Sequence, residues 1–207
     1  MEVIVIGAGV SGLSTGIRLL EEGWNVKIIT EKMSPDTVSD TAAAWWYPFL
    51  AEPIEKTNRW SSETFDELLR LKDIEGLECI TMRKGREYLE NISEPPGWSV
   101  DLPHFRILSK DEILEGYKFG WEMEAPVIEM HLYMPWLLSQ FKNLGGVIEL
   151  QRFDSIEDVP GEFIVNCSGL GANLLCKDNT VIPVRGQVIY IKQDPGFGRF
   201  DQQPKTL

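Results

Sequence analysis

The chain has 207 residues, 43% hydrophobic and 25% charged, with a net charge of −12 and a pI near 4.7. That length and composition suit a globular protein of one large domain or two small ones, with a sizeable core. The acidic balance repels phosphate backbones and anionic lipid, so neither nucleic acid nor a membrane is expected as a partner.

No run approaches the roughly 18 apolar residues a spanning helix needs. The chain opens directly on "EVIVIGAG", with no basic region and no cleavage site, so secretion is not expected. Cys79, Cys167 and Cys176 form no C-x-x-C and fit a reducing cytoplasm, where they act as small buried hydrophobes. The two histidines, His104 and His131, lie in no cluster at ligand spacing, and no metal is expected.

"EVIVI" (2–6) is an unbroken apolar run, as in a parallel strand covered on both faces. "GAGVSG" follows, and Leu13, Ile17 and Leu20 then recur at helical spacing up to a glycine stop at Gly23. "NVKIIT" (25–30) completes a βαβ unit. In "SDTAAAWWYPF" (39–49), Ser39 and Asp40 read as N-caps of a helix whose first turn is Ala42, Ala43 and Ala44, ended by Pro48. Residues 57–72 carry Phe65, Leu68 and Leu69 on a helix with acids early and bases late. Short alternating runs between Leu77 and Leu108 predict antiparallel strands broken at Gly85 and at "EPPGW". "SKDE" (109–112) is a capping box, and 117–134 read as further strands. Pro135 is expected to open a helix ending at Gly145. "GVIEL" (146–150), "EFIVNCSG" (162–169) and "VIPVRGQVIYI" (181–191) read as strands.

Gly7, Gly9 and Gly12 form G-x-G-x-x-G after a strand and at the start of a helix, the context that gives the pattern its meaning. Gly7 permits the tight turn, Gly9 lets a pyrophosphate approach the helix N-terminus, and Gly12 lets helix pack on strand. Glu31 ends the second strand, where an acid accepts hydrogen bonds from ribose hydroxyls. The pattern points to a dinucleotide without separating FAD from NAD. The acid argues against a 2′-phosphate, an argument that Lys32 weakens. At the alanine stretch, free amides of a helix start would donate to a pyrophosphate or a flavin ring, and Trp45, Trp46 and Tyr47 would wall it; the alternative is a short amphipathic helix whose aromatics fill core.

"VIVIGAGVSGLSTGIRLLEEG", "SPDTVSDTAAAWWYPFL", "WSSETFDELL", "FIVNCSGLGANLL" and "VIPVRGQVIYI" occur in this order, and the chain resembles the FAD-dependent D-amino acid oxidase family, with its D-aspartate and glycine oxidases. The resemblance implies an α/β fold: a Rossmann-like FAD-binding domain (1–75 and 135–180) with an inserted, mainly antiparallel β substrate domain (76–134 and 181–207). It implies FAD as cofactor, an amino acid and O₂ as small-molecule partners, and oxidative deamination to a 2-oxo acid with NH₃ and H₂O₂. A hydride would pass from the substrate Cα to flavin N5, with positioning and electrostatics supplied by protein. By motif match, Gly7, Ala8, Gly9, Val10, Ser11 and Gly12 would line the pyrophosphate turn. Glu31 and Lys32 would meet the adenosine ribose, and Val38 and Ser39 the phosphate and ribityl region. Ala43, Ala44 and Trp45 would sit against the isoalloxazine, Phe153 at adenine, and Ser168 and Gly169 at the turn passing the adenosine half.

Two departures stand out. The family usually shows alanine-alanine-glycine where this chain has Ala42-Ala43-Ala44, and a smaller polar residue at Tyr47. Family members also run on past the position of Leu207 with a Y-I-I-P-like strand, a carboxylate-gripping arginine and a glycine-rich segment. The expectation is therefore a truncated or split oxidase that holds FAD weakly and turns over little, with no catalytic residue assigned here. Rival readings are a non-catalytic FAD-binding remnant or interaction module and an NAD-dependent dehydrogenase. Substrate identity and oligomeric state stay open, a homodimer among the alternatives.

Overall fold

A computed structural model describes residues 2–188. The described chain divides into two compact units, one made of the segment through Ala43 and the segment from Glu129 onward, the other of Ala44–Ile128. The expected divisions lay at 75/76 and 134/135. The helix over 54–73 belongs to the second unit because its buried face packs on that unit's strands.

In the first unit, strands β1 (Glu2–Ile6), β2 (Asn25–Thr30), β6 (Val147–Leu150) and β7 (Phe163–Asn166) form a parallel sheet in the order β6-β2-β1-β7. Helix α1 (Val10–Glu21) links β1 to β2, and helix α3 (Met130–Asn143) precedes β6. Alternation along β1 sends Val3 and Val5 to one face and Ile4 and Ile6 to the other, and all four are buried. On the helical face, Gly16 leaves room for Phe141: a Cβ on Gly16 would lie 2.7 Å from its ring. That absent side chain lets α1 and α3 pack closely around Leu13, Ile17 and Ile28. On the opposite face Ile4, Ile6 and Ile29 pack with Val159 and with Leu175 of the short helix α4 (Ala172–Leu175). Each such aliphatic side chain contributes about 1.5–3 kcal/mol by burial.

Helix α3 begins at Met130, not at Pro135, which sits inside it. The amides of Leu132 and Tyr133 already donate to the Glu129 carbonyl, so a helix is under way before the proline, which removes one later donor without stopping it. The strands expected over 117–134 therefore end at Ile128.

The second unit holds helix α2 (Ile54–Asp73) and an antiparallel sheet in the order β3-β5-β4, from Ile80–Leu89, Phe119–Ile128 and Arg106–Ile107. Strand β3 runs through Gly85 unbroken because β5 pairs with it in full, Ile80 to Ile128 and Leu89 to Phe119. The capping box at 109–112 is present, Ser109 and Glu112 capping each other. Trp46, Phe65 and Trp98 meet edge to face with centroids 5.1 and 5.8 Å apart, tying α2 to the 3₁₀ turn at Gly97–Asp101.

The expected helix at 42–47 is absent. A 3₁₀ turn spans Val38–Thr41, Ala42 is extended, and Trp45 bridges Val127 at the end of β5. The Trp46 amide donates to the Pro126 carbonyl and the Ile128 amide to the Ala44 carbonyl. These bonds to β5 satisfy backbone groups that a helix would have paired locally, and they win. Over 181–188 no strand forms. Ile182 and Val184 stay exposed, since these residues pair with no strand edge among the described residues. The rest of the run expected as a strand, 189–191, and the remainder of the 181–207 assignment lie outside the described residues.

Candidate functional site

The turns that follow the four parallel strands share one edge of the sheet. Strand order reverses at β1: β2 lies on one side and β7 on the other. In open α/β sheets the crevice outside the carboxyl ends at such a point is where ligands bind.

The turn after β1 is fixed from three sides. Gly7 has φ +102, a left-handed conformation that favours glycine, and a Cβ there would lie 2.5 Å from the Cys167 carbonyl oxygen. The Gly7 amide donates to the Ile29 carbonyl, and the buried Ala8 amide to Thr30 Oγ1 at 3.1 Å. The Thr30 hydroxyl in turn donates to the Lys32 carbonyl at 2.7 Å, joining the turns after β1 and β2. A Cβ on Gly12 would stand 1.8 Å from the Gly7 oxygen, so α1 lies directly against the strand end. Gly9, the N-cap, offers no side chain, and a Cβ there would come within 3.0 Å of Ser39 Oγ.

The first amides of α1 have no carbonyl in their own helix. Ser39 Oγ accepts one of them, from Val10, at 3.0 Å. The amides of Ser11 and Gly12 remain as donors, together with the positive end of the helix dipole. Ser39 is not the helix cap expected from sequence. It sits inside a 3₁₀ turn whose own capping box joins Thr37 to Asp40, and the turn packs on α3. Burial raises the Asp40 pKa, but hydrogen bonds from Ser34 and Thr37 outweigh it and hold the carboxyl below its ordinary value.

Beyond β2, Glu31 and Lys32 are exposed. Arg152, two residues past β6, reaches Glu31 at 3.6 Å and Asp154 at 3.5 Å. Phe153 turns its ring into the core cluster of Ile4 and Ile29, leaving its backbone at the sheet edge. After β7, Asn166 Oδ1 accepts from the Ser168 amide at 3.1 Å and its hydroxyl at 2.6 Å, while Gly169 takes φ +56. The Cys167 thiol beside it contacts Thr15 and is pushed up in pKa by burial.

Gly7, Ala8, Gly9, Val10, Ser11, Gly12, Glu31, Lys32, Val38, Ser39, Phe153, Ser168 and Gly169 therefore all belong to the turns around one sheet edge, with Ala43 just beyond them in the same unit. Ala44 and Trp45 belong to the second unit. There Trp45 lies over Gly85, where a Cβ would be 2.3 Å from its ring, and its indole N–H is buried without an acceptor. Tyr47 packs 5.1 Å from Trp98 and donates its hydroxyl to Glu87 at 2.7 Å. Burial first, and then that carboxylate, push its pKa up. Ala44 takes φ +30, a conformation that disfavours a side chain, at the position where the resemblance expects glycine.

The sequence reading passed over Thr30, Arg152 and Asn166, and it took Asp40 for an N-cap. Asp40 is instead the third residue of a capping box, for which T-V-S-D (37–40) carried the signal.

The FAD dependent oxidoreductase family known as DAO matches residues 2–205. The chain belongs to this family. A D-amino-acid oxidase of Dictyostelium discoideum is 35% identical over 98% of the chain and 60% of its own length. Human D-aspartate oxidase is 32% identical over 92% of the chain and 59% of its own length. The chain thus spans about 60% of the length of these curated relatives. An L-amino acid deaminase from Proteus myxofaciens shares the fold at a TM-score of 0.65 and 17% identity, over 88% of the chain and 48% of its own. FAD is the family's cofactor, and the glycine cradle fits it: a Cβ at Gly7 or Gly12 would collide with backbone, and one at Gly9 would crowd the Ser39 hydroxyl. Among the described residues no group of three or more His, Cys, Asp or Glu is placed to hold a metal ion, and no helix is long and apolar enough to cross a membrane.

Proposed function

We propose that this chain grips the diphosphate and adenosine of FAD for an amino acid oxidase that deaminates a D-amino acid or glycine. The observation that carries the reading is the α1 N-terminus, where unpaired amides meet a glycine cradle at the strand-order reversal. Gly7 to Gly12 hold the diphosphate, with Val38 and Ser39 beside it. Glu31 and Lys32 face the ribose, and Phe153, Ser168 and Gly169 flank the adenosine. Ala43, Ala44 and Trp45 are assigned to the flavin ring. The parallel-sheet unit is the cofactor unit, and the antiparallel unit the substrate side.

When bound, the flavin supplies the two-electron acceptor for oxidising the Cα–N bond. The chain's own residues bind and orient it. The Arg152–Glu31 pair holds the acid that faces the ribose hydroxyls, and Thr30 keeps the first two turns in register. The names of the two relatives, a D-amino-acid and a D-aspartate oxidase, support the substrate class.

The test is to titrate the purified chain with FAD by flavin fluorescence, then to assay H₂O₂ against D-amino acids and glycine. FAD binding by the chain is expected, and any peroxide that forms is expected from a D-amino acid or glycine. Absence of FAD binding overturns the whole reading, whereas peroxide from L-amino acids alone overturns the substrate class.

A further inference from the structure

The segment that follows β2 folds around one carboxylate. Asp40 Oδ2 accepts from the Thr37 amide at 3.0 Å and from the Thr37 hydroxyl at 2.5 Å, while Oδ1 accepts from the Ser34 hydroxyl at 2.6 Å. Those bonds close a ring over residues 34–40, and α3 backs the turn. The residue next to Asp40 is Ser39, whose Oγ reaches across to the Val10 amide. A serine oxygen that accepts this bond keeps its own proton to donate. The hydroxyl therefore adds an O–H donor at the helix start, beside the amides of Ser11 and Gly12.

We propose that Asp40 is a positioning residue for the diphosphate site: its carboxylate locks the 37–41 turn so that the Ser39 hydroxyl stands at the first amide of α1. The inference rests on the FAD reading above and deepens it. Removing the carboxylate strands the partly buried Thr37 amide and both hydroxyls, and the turn loses the bonds that define it. Asparagine keeps the shape and one carbonyl acceptor. Serine and threonine hydroxyls can reverse role toward its NH₂ group, so the ring survives in weaker form. The action on ligand runs through Ser39, which makes the two positions energetically coupled.

The experiment is a double-mutant cycle on FAD affinity, read by flavin fluorescence on the full chain. Asp40→Ala is expected to weaken FAD about tenfold in the wild-type background, and by less than about threefold when Ser39→Ala is already present. Asp40→Asn should restore affinity to within about threefold of wild type. Ser34→Ala, which removes a single donor, gives a milder loss with the same coupling, and it serves if Asp40→Ala does not fold. The exposed Asp36→Ala in the same loop should bind as wild type. Wild-type protein that binds no FAD overturns the flavin reading itself. Wild-type binding with an unaffected Asp40→Ala overturns this inference alone. Equal losses in both backgrounds overturn it as well, because they assign Asp40 to general stability.

Discussion

Gly12→Ala tests whether the cradle depends on backbone contact between α1 and β1. The added Cβ would lie 1.8 Å from the Gly7 oxygen and 2.9 Å from its carbonyl carbon. Restoring ordinary contact means opening the gap by about 1.6 Å, and both sides are main chain. A flexible side chain could swing away, but here the helix start must lift from the strand end. That movement pulls on the Val10–Ser39 bond and on Leu13, which is 1% exposed beneath the helix. It also disturbs Gly7, whose amide is tied to Ile29 and whose free side faces Cys167.

Overpacking against side chains costs about 1–3 kcal/mol, and a main-chain obstacle places this variant at or above the top of that range. With an m-value of about 1–3 kcal/mol/M, the urea midpoint should fall by roughly 1 M or more at unchanged m. FAD affinity should fall in parallel, because the displaced amides are the proposed donors. Gly186→Ala is the control, since its Cβ meets nothing within 4 Å. A Gly12→Ala protein with a wild-type urea midpoint and wild-type FAD affinity would refute the close-packing argument.

Two further outcomes follow from the geometry. Ala44→Gly should raise stability by up to about 1 kcal/mol: the left-handed residue costs about 1–2 kcal/mol, and glycine's greater unfolded-state freedom takes back part of the gain. A thermal melt reads the change, and a lowered midpoint would show that Ala44 is not strained. Acid sensitivity should track two carboxylates with depressed pKa. Glu122 is lowered first by Arg86, against burial, with Arg106 adding to the effect. Asp40 is lowered by its hydroxyl and amide donors against burial. A depressed folded pKa means the contribution is complete above the unfolded value of about 4 and is lost as pH falls through the folded one. Glu122→Gln and Asp40→Asn should therefore lower stability at pH 7 and flatten its fall below about pH 4. Acid titrations parallel to wild type would contradict these assignments.

What the sequence disclosed follows the range of the interactions. The run from β1 through α1 to β2 was legible because glycine pattern, helical stripe and strand lie within one βαβ unit. The capping box at Ser109 and Glu112 was legible for the same reason. Residues 42–47 were not. Three alanines after serine and aspartate look locally like a helix start, yet their neighbours pair with Pro126, Val127 and Ile128, far along the chain. Tertiary pairing overrode local preference there. Pro135 misled differently: it marks a helix, but the Glu129 carbonyl had started that helix earlier. Arg152 and Asn166 had no local signal, since their contacts arise only where separate strand ends converge.

The charge balance bears on how the proposed diphosphate site would hold an anion. A chain of net charge −12 opposes a diphosphate at long range. In the turns described, exposed Lys32 and Arg152 bring positive charge, and Arg152 is already shared between Glu31 and Asp154. In the proposed site, attraction would therefore come from fixed dipoles at short range: the Ser11 and Gly12 amides and the Ser39 hydroxyl. Such donors work only if they need no rearrangement on binding, because reordering them would consume the modest energy each bond returns. The rest of the turn meets that condition. Gly7 is tied to Ile29, Ala8 to Thr30, Val10 to Ser39, and Ser39's own turn to Asp40. On that proposal the buried Thr30, the ring at Asp40 and the glycines act together, fixing donors in place before the ligand arrives.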